Sequence, residues 1–336
     1  MPSKDSKSDV TNHPEVRTLE ISPNHDGQRL DNYLVKILKG VPKTRIYRLI
    51  RKGEVRVNRK RIKPDYRIQA GDLLRIPPVR VAHREQAHVS EALKALILHS
   101  VLYQDEDLLI LNKPAGIPVH GGTGVKVGLI EALRESLKEP ALELVHRLDK
   151  ETSGCLVIAR HNKAVKALGE LFKKGEIDKR YHALVEGEWP EEIKMVDAPL
   201  QRQAARGGER KVKISEQGKS AKTLFSLLGR FRDASLVEAH LLTGRTHQIR
   251  VHCQQAGYPL IADNKYAAKS SLDKYRKAGL KHLCLHARSI SFRHPFSEQI
   301  VAVEAPLSEI FNKSLTRLNA LAGHEKVDPP VRTAEG

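Results

Sequence analysis

From about residue 97 to residue 321 the chain alternates short apolar runs with helical repeats, and this alternation limits the fold more than any other feature. LLILN (108–112), CLVIA (155–159), YHALVEG (181–187) and SLVEAHL (235–241) are rich in Val, Ile and Leu and five to seven residues long, the size and composition of buried strands. Between them, stretches such as VKALGELFKKG repeat their apolar residues every three or four positions, as an amphipathic helix does. The pattern implies a mixed α+β domain in which helices cover a sheet. A chain of 336 residues, 40% of them hydrophobic, can fill one large domain and a smaller one.

The smaller one lies first. Leu30, Tyr33, Leu34, Ile37 and Leu38 fall on helical spacing, and Ile46, Leu49 and Ile50 predict a second helix that starts after Pro42 and ends before Gly53. EVRVN (54–58) and LLRIP (73–77) read as strands. On the second helix Arg45, Arg48 and Lys52 share the face away from the apolar residues. PPVRVAHREQAHVSEAL opens on two prolines and turns polar, as a linker does. The expected organisation is a loose tail over 1–17, a small domain over 18–80, a linker over 81–97, a large domain over 98–322 and a second tail over 323–336.

Charge narrows the partner. The formal net charge is +18, and residues 1–80 hold 19 Lys and Arg against 9 Asp and Glu. Concentrated cations favour a polyanion, because binding releases counterions condensed on phosphates. Lys43 to Lys63 carries ten basic residues and one acid, Glu54. A basic run is ordinarily a solvated face; here its alignment on one helix face favours a contact surface. Three cysteines, Cys155, Cys253 and Cys284, have no paired spacing, which fits a reducing compartment and no disulfide framework. No apolar run reaches a membrane span and MPSKDSKSD lacks a signal core. The expected place is the cytoplasm.

Phosphate loops and metals find little support. GGTGVKVG (121–128) lacks the Gly-Lys-Ser/Thr ending of a phosphate-cradling loop and is expected to be mobile. His247, His252 and Cys253 lack the second cluster a zinc site needs, so structural roles and no metal are expected.

Five stretches carry resemblances. PKTRIYRLIRKGEVRVNRKRIKPDYRIQAGDLLRIP resembles the S4 RNA-binding domain, which implies a small α/β unit with Lys43, Arg45, Arg48, Arg51, Lys52 and Arg56 on RNA phosphates. NKPAGIPVH (112–120), HRLDKETSG (146–154), KRYHALVEG (179–187) and TGRTHQIRVH (243–252) are each weak alone. In this order and together they resemble the RluA superfamily of RNA pseudouridine synthases, nearest to its RluC type. The resemblance implies a large mixed, mainly antiparallel sheet with flanking helices, and isomerisation of uridines in 23S (large-subunit) ribosomal RNA by a monomer without cofactors. The RNA is expected free or in an assembling ribosomal particle.

The same resemblance assigns catalysis to Asp149, Tyr181 and Arg245, with Arg245 the guanidinium that keeps the carboxylate charged. Arg147 fills the gap left by the flipped uridine, and His146, Thr152, Asn112, Lys113, His247 and Arg250 complete the binding set. The chemistry agrees with a lone carboxylate: breaking the bond from uracil N1 to ribose C1′ makes the sugar oxocarbenium-like, and one carboxylate can stabilise or capture it. Attack at C1′, attack at C6 and action as a base at the ribose all remain open. A non-catalytic RNA-binding protein and a base-excising glycosylase are the competing readings.

Overall fold

The computed structural model describes residues 15–38, 40–79, 89–121, 127–203 and 211–322. The chain divides into two compact units at His88/Val89. In the first, β1 (Arg17–Glu20) leads through a short 3-10 turn (Pro23–His25) to α1 (Leu30–Ile37), α2 (Lys43–Arg51), β2 (Arg56–Val57) and β3 (Leu73–Ile76). The strands form an antiparallel sheet in the order β1-β3-β2. Leu30 and Leu34 of α1 pack with Ile46 and Ile50 of α2 over Val55, Ile68 and Leu74, so both helices lie where the apolar spacing predicted them. EVRVN pairs only at Arg56 and Val57, because Asn58 and Arg59 take positive φ (48° and 66°) and turn the chain away. Asp31, nearly buried, accepts both Nε and Nη2 of Arg29 (3.1 and 2.7 Å) and the Tyr47 hydroxyl (2.8 Å).

The second unit runs α3 (Glu91–His99), β4 (Val101–Gln104), β5 (Leu108–Lys113), α4 (Leu129–Leu137), β6 (Glu143–Leu144), β7 (Ser153–Ala159), α5 (Asn162–Lys174) and β8 (Asp178–Glu186). It continues with β9 (Met195–Asp197), β10 (Leu200–Gln203), β11 (Lys211–Ile214), β12 (Lys222–Phe231), β13 (Ala234–Leu241), α6 (Gln248–Gln255), α7 (Lys269–Lys277), β14 (Leu285–Arg293), β15 (Ile300–Glu304) and α8 (Glu309–Ala322). The main sheet has the order β4-β5-β7-β14-β8-β13-β12-β9, with β6 on β7 and β15 on β14. Among the described strands its pairings are antiparallel except β7 with β14, as expected of the large mixed sheet. β10 and β11 form a separate two-stranded antiparallel sheet.

All of β7 is buried, consistent with the apolar run CLVIA covered on both faces. Gly154, at φ 103°, lies where β7 meets β14; a Cβ there would collide with the Ala287 backbone. Ala287 pairs in turn with Tyr181 of β8. This close approach therefore sets Tyr181 two strands from the end of the HRLDKETSG loop.

Two expected boundaries move. The segment 81–97, expected as linker, contains most of α3: Ser90 caps the helix by accepting from Leu93 N–H (3.3 Å), and Val89 and Ile97 belong to the main core. The second unit thus starts at Val89, because apolar anchors already punctuate the polar stretch. The first tail, expected to reach residue 17, ends earlier, since Arg17 pairs with Ile76. Residues 1–14, 323–336 and most of the GGTGVKVG loop (122–126) lie outside the described residues. No helix among the described residues is long and apolar enough to cross a membrane.

Candidate active site

The loop carrying Asp149 joins β6 to β7 and is fixed at several points. His146 Nε2 accepts the Val157 N–H of β7 (2.8 Å), and its ring stacks on Phe172 of α5 with centroids 4.5 Å apart. Burial pushes its pKa down to about 3, with Lys179 adding to the effect, so the ring stays a neutral acceptor. Asp149 O accepts Thr152 N–H (3.1 Å), closing a turn, and Lys150 O accepts Gly116 N–H (2.9 Å). Lys113 is fully buried and donates Nζ to Pro114 O (2.7 Å), Ile117 O (2.8 Å) and Lys150 O (3.0 Å). Burial lowers its pKa to about 7 against the pull of Glu151 and Asp149. One ammonium thus ties the NKPAGIP segment to the residue after Asp149.

The opposite wall is the start of α6. His247 takes φ 55° at the helix entry, and Gln248 Oε1 accepts both the Thr243 hydroxyl (2.8 Å) and Arg245 N–H (3.0 Å). These side-chain bonds tie the segment 243–245 to the first residue of the helix. The turn delivers Arg250, nearly buried, to Asp149: Nη1 lies 3.0 Å from Asp149 Oδ2. Nε and Nη2 of Arg250 bind both oxygens of the buried Asp263 at 2.8 and 2.6 Å. Burial works against this guanidinium's charge, but Asp263 and Asp149 outweigh it, and its pKa stands above the ordinary arginine value. Asp263 also accepts Lys265 N–H (2.9 Å), and Ala262 before it takes φ 60°.

His247 is the second polar group on the carboxylate. Tyr266 Oη accepts Val212 N–H (3.1 Å) and shares a hydrogen bond with His247 Nδ1 (2.6 Å). The remaining ring nitrogen, Nε2, faces Asp149 Oδ2 at 3.6 Å. Burial lowers the His247 pKa and Asp149 opposes the shift. Tyr181, in the buried centre of β8, has its hydroxyl pKa raised, first by burial and then by the fields of Cys155 and Asp149. It is held as a neutral phenol within electrostatic reach of the carboxylate.

The structure brings together Asp149, Arg250, His247 and Tyr181 of the expected residues. It corrects the arginine: Arg245 is exposed and donates Nε to Ser220 O (3.0 Å), while Arg250 holds Asp149. Arg245 precedes the helix and Arg250 lies inside its first turn, so the turn at His247 sends them apart. Of the other expected binding residues, His146 accepts a backbone N–H, Lys113 donates to backbone carbonyls, and Thr152 is buried. Asn112 likewise donates Nδ2 to Pro306 O (2.9 Å). Arg147 is exposed at the rim, its Nη2 on the Thr246 hydroxyl (2.8 Å). Asp263 and Tyr266 escaped the sequence reading. They lie 13 and 16 residues beyond Arg250, with no periodic relation to it.

His252 bridges the Thr223 hydroxyl (2.9 Å) and Ala198 O (3.1 Å), a structural role as expected. Among the described residues, Asp105, Asp107 and His294 form the group of possible metal ligands. His294 Nδ1 accepts Phe296 N–H (3.3 Å) and Ser297 N–H (3.1 Å), so its proton sits on Nε2, toward the acids, and no lone pair is left for a cation. His161 Nε2 lies 2.8 Å from Asp107 and its Nδ1 accepts Ala164 N–H in the same way. The group is an acid–histidine staple between the β4–β5 turn and the end of β14.

In the first unit, Pro42, Thr44, Arg45, Arg48, Arg51 and Lys52 line one open depression along α2. Lys43, Arg48, Arg51, Lys52 and Arg56 are exposed and Arg45 half-buried.

Residues 107–255 match the RNA pseudouridylate synthase family, and residues 28–74 match the S4 domain. The chain is 49% identical over 307 residues to the ribosomal large subunit pseudouridine synthase C of Pasteurella multocida (strain Pm70), covering 90% of this chain and 94% of that one. With the protein of the same name from Escherichia coli (strain K12) it shares 46% over 313 residues, 92% and 98% of the two chains. Among solved structures, Human RNA Pseudouridylate Synthase Domain Containing 4 is similar at a TM-score of 0.56 and 29% identity over 68% of this chain and 96% of that one. For Human RNA Pseudouridylate Synthase Domain Containing 1 the values are 0.51, 26%, 66% and 94%.

Proposed function

Since this chain belongs to the RNA pseudouridylate synthase family, we propose that it isomerises particular uridines of large-subunit ribosomal RNA to pseudouridine, with Asp149 as the catalytic carboxylate. The relatives' names supply the RNA. The observation that carries the residue assignment is the row Asp149–Arg250–Asp263, in which one carboxylate is half-exposed and the other fully engaged. A hydrolase of glycosidic bonds uses two acids, one of them to activate water. Asp263 cannot serve as that second acid, because its side chain is buried and both oxygens accept from Arg250. A lone available carboxylate suits a reaction in which the C1′–N1 bond breaks, the uracil turns while held, C5 bonds to C1′, the C5 proton leaves and N1 takes up a proton.

Asp149 stabilises or captures the electron-poor sugar, and Arg250 fixes the carboxylate's direction before the substrate arrives. His247 offers a second fixed dipole. Tyr181 provides a ring for the turning uracil and, as a neutral phenol, a hydroxyl for its proton traffic. The target base must leave the RNA stack to reach this site, and Arg147 at the rim is suited to occupy its place. Arg45, Arg48 and Lys52 of α2 hold phosphates elsewhere on the RNA. The chain acts in the cytoplasm as a monomer, on free RNA or on a ribosomal particle.

The test is incubation of the purified chain with large-subunit RNA carrying 5-tritiated uridine. Tritium enters water while no free uracil forms, and pseudouridine maps to a few positions. Release of uracil would establish a glycosylase instead, and neither product would leave a binding protein.

A further inference from the structure

Thr246 lies immediately before His247, on the turn that faces Asp149. Its hydroxyl oxygen accepts two guanidinium groups at once, Nη2 of Arg147 and Nη2 of Arg202, each at 2.8 Å. The two cations come from unrelated parts of the chain, one from the Asp149 loop and one from β10. They stand within two hydrogen-bond lengths of each other, and among the described residues neither forms an ion pair with a carboxylate. Like charges so placed repel, and exposed arginines free to spread into water would do so. An anion between them would reverse the sign of the interaction.

Three donors meet at this point. Each guanidinium has further N–H groups on its rigid edge, and the Thr246 oxygen, already accepting twice, has its own proton free to donate. Planar guanidinium edges match the spacing of phosphate oxygens. The β10–β11 pair is also held firmly enough to present Arg202. Leu200 and Val212 pack with Ala221, Val251 and Tyr266, and Arg202 pairs in register with Val212. Val212 donates its N–H to the same Tyr266 hydroxyl that is hydrogen-bonded to His247 Nδ1. The cation and the catalytic carboxylate therefore share one rigid framework.

We propose that Arg202, Thr246 and Arg147 form a phosphate-binding site that takes the RNA phosphodiester beside the flipped uridine, holding the backbone while the base enters the Asp149 pocket. This rests on the function proposed above. Arg147 can use its edge on the phosphate and its face against the neighbouring base, so the site joins base displacement to backbone capture.

The test is a binding cycle on the full chain, read by titration independently of turnover. Substrate RNAs carry a single uncharged methylphosphonate at each of the linkages around the target uridine. With the wild type, one linkage raises the dissociation constant about tenfold, the loss expected for a charge-assisted contact. Arg202→Gln binds all-phosphate RNA about tenfold more weakly, lowers the slope of log affinity against log salt by about 0.7 to 0.9, and loses nothing more at that linkage. Thr246→Ala adds little in the Arg202→Gln background. Arg293→Gln, an equal charge change on β14, leaves the slope at its wild-type value.

Equal losses at every linkage in Arg202→Gln and wild type would overturn the site. So would a slope change in Arg293→Gln matching that of Arg202→Gln. An intact cycle in a chain that forms no pseudouridine would count against the proposed function alone.

Discussion

On α2 and at its C-terminal cap Arg48, Arg51 and Lys52 stand in solvent, and among the described residues none of them pairs with a carboxylate; on α6 Arg250 is nearly buried and pairs with two. The side-chain chemistry is alike and the environments are opposite. An arginine meant for a phosphate must keep its donors unspent and exchange water for ligand at little cost. An arginine meant to aim a carboxylate must have its geometry fixed beforehand, and burial between Asp149 and Asp263 does this. Removing the first kind should weaken binding with little effect on the fold; removing the second should damage fold and chemistry together.

The largest effect is expected at Arg250. Arg250→Leu leaves Asp263 buried without its partner, which costs about 3 to 5 kcal/mol, and it frees Asp149 to turn. Thermal unfolding and single-turnover tritium release should both show the loss. A variant of wild-type stability would break the contrast at once. Asp263→Asn is the finer cut, since Arg250 keeps its bond to Asp149 and loses only the clamp behind it. Turnover should fall on the order of a hundredfold, the usual penalty for a misaligned reacting group, while the RNA concentration for half-saturation changes little.

What could be read from the sequence divides along the same line. Both helices of the first unit were legible because their apolar spacing is local, and Asp149 stood out in HRLDKETSG. Arg250 was named only as a binding residue, since the linear TGRTHQIRVH cannot tell which arginine follows the helix inward and which stays outside. The left-handed entry at His247 decides that. Asp263 was illegible because its bond to Arg250 spans a loop of irregular backbone with Ala262 at positive φ. The carbonyl bonds of Lys113 and Asn112 were illegible for another reason: their acceptors at Ile117, Lys150 and Pro306 are backbone groups that no side-chain pattern marks. The α3 boundary was missed because Leu96 and Leu98 are exposed, which blurs the helical stripe that Leu93 and Ile97 form.

Changes on α2 should have the opposite profile. Replacing Arg45, Arg48 and Lys52 by Gln should reduce the salt slope of RNA binding by about 0.7 to 0.9 per lost contact, with turnover at saturating RNA retained. A fall in saturated turnover as deep as that of Asp263→Asn would erase the distinction.

A smaller effect belongs to Asp31. The hydrogen bond from Arg29 outweighs burial and holds its pKa at about 2, below the ordinary 3.8. A carboxylate depressed on folding stabilises the fold above its unfolded value, and that stability fades as pH falls from about 4 to about 2. Because the Arg29 side chain is 45% exposed, solvent screening cuts this to about 1 kcal/mol. Asp31→Asn should remove it near neutral pH and flatten the acid limb of unfolding of the first unit; an unchanged limb would assign the acid transition to other groups.

The central claim, that the one available carboxylate performs the isomerisation, is tested most directly by Asp149→Asn. The exchange is nearly isosteric and keeps a hydrogen-bond acceptor for Arg250, but it removes the charge that the sugar cation requires. Single-turnover tritium release at saturating RNA should vanish while the RNA dissociation constant stays within about twofold of the wild type, a difference well below one lost charged contact. Release near the wild-type rate would contradict the account.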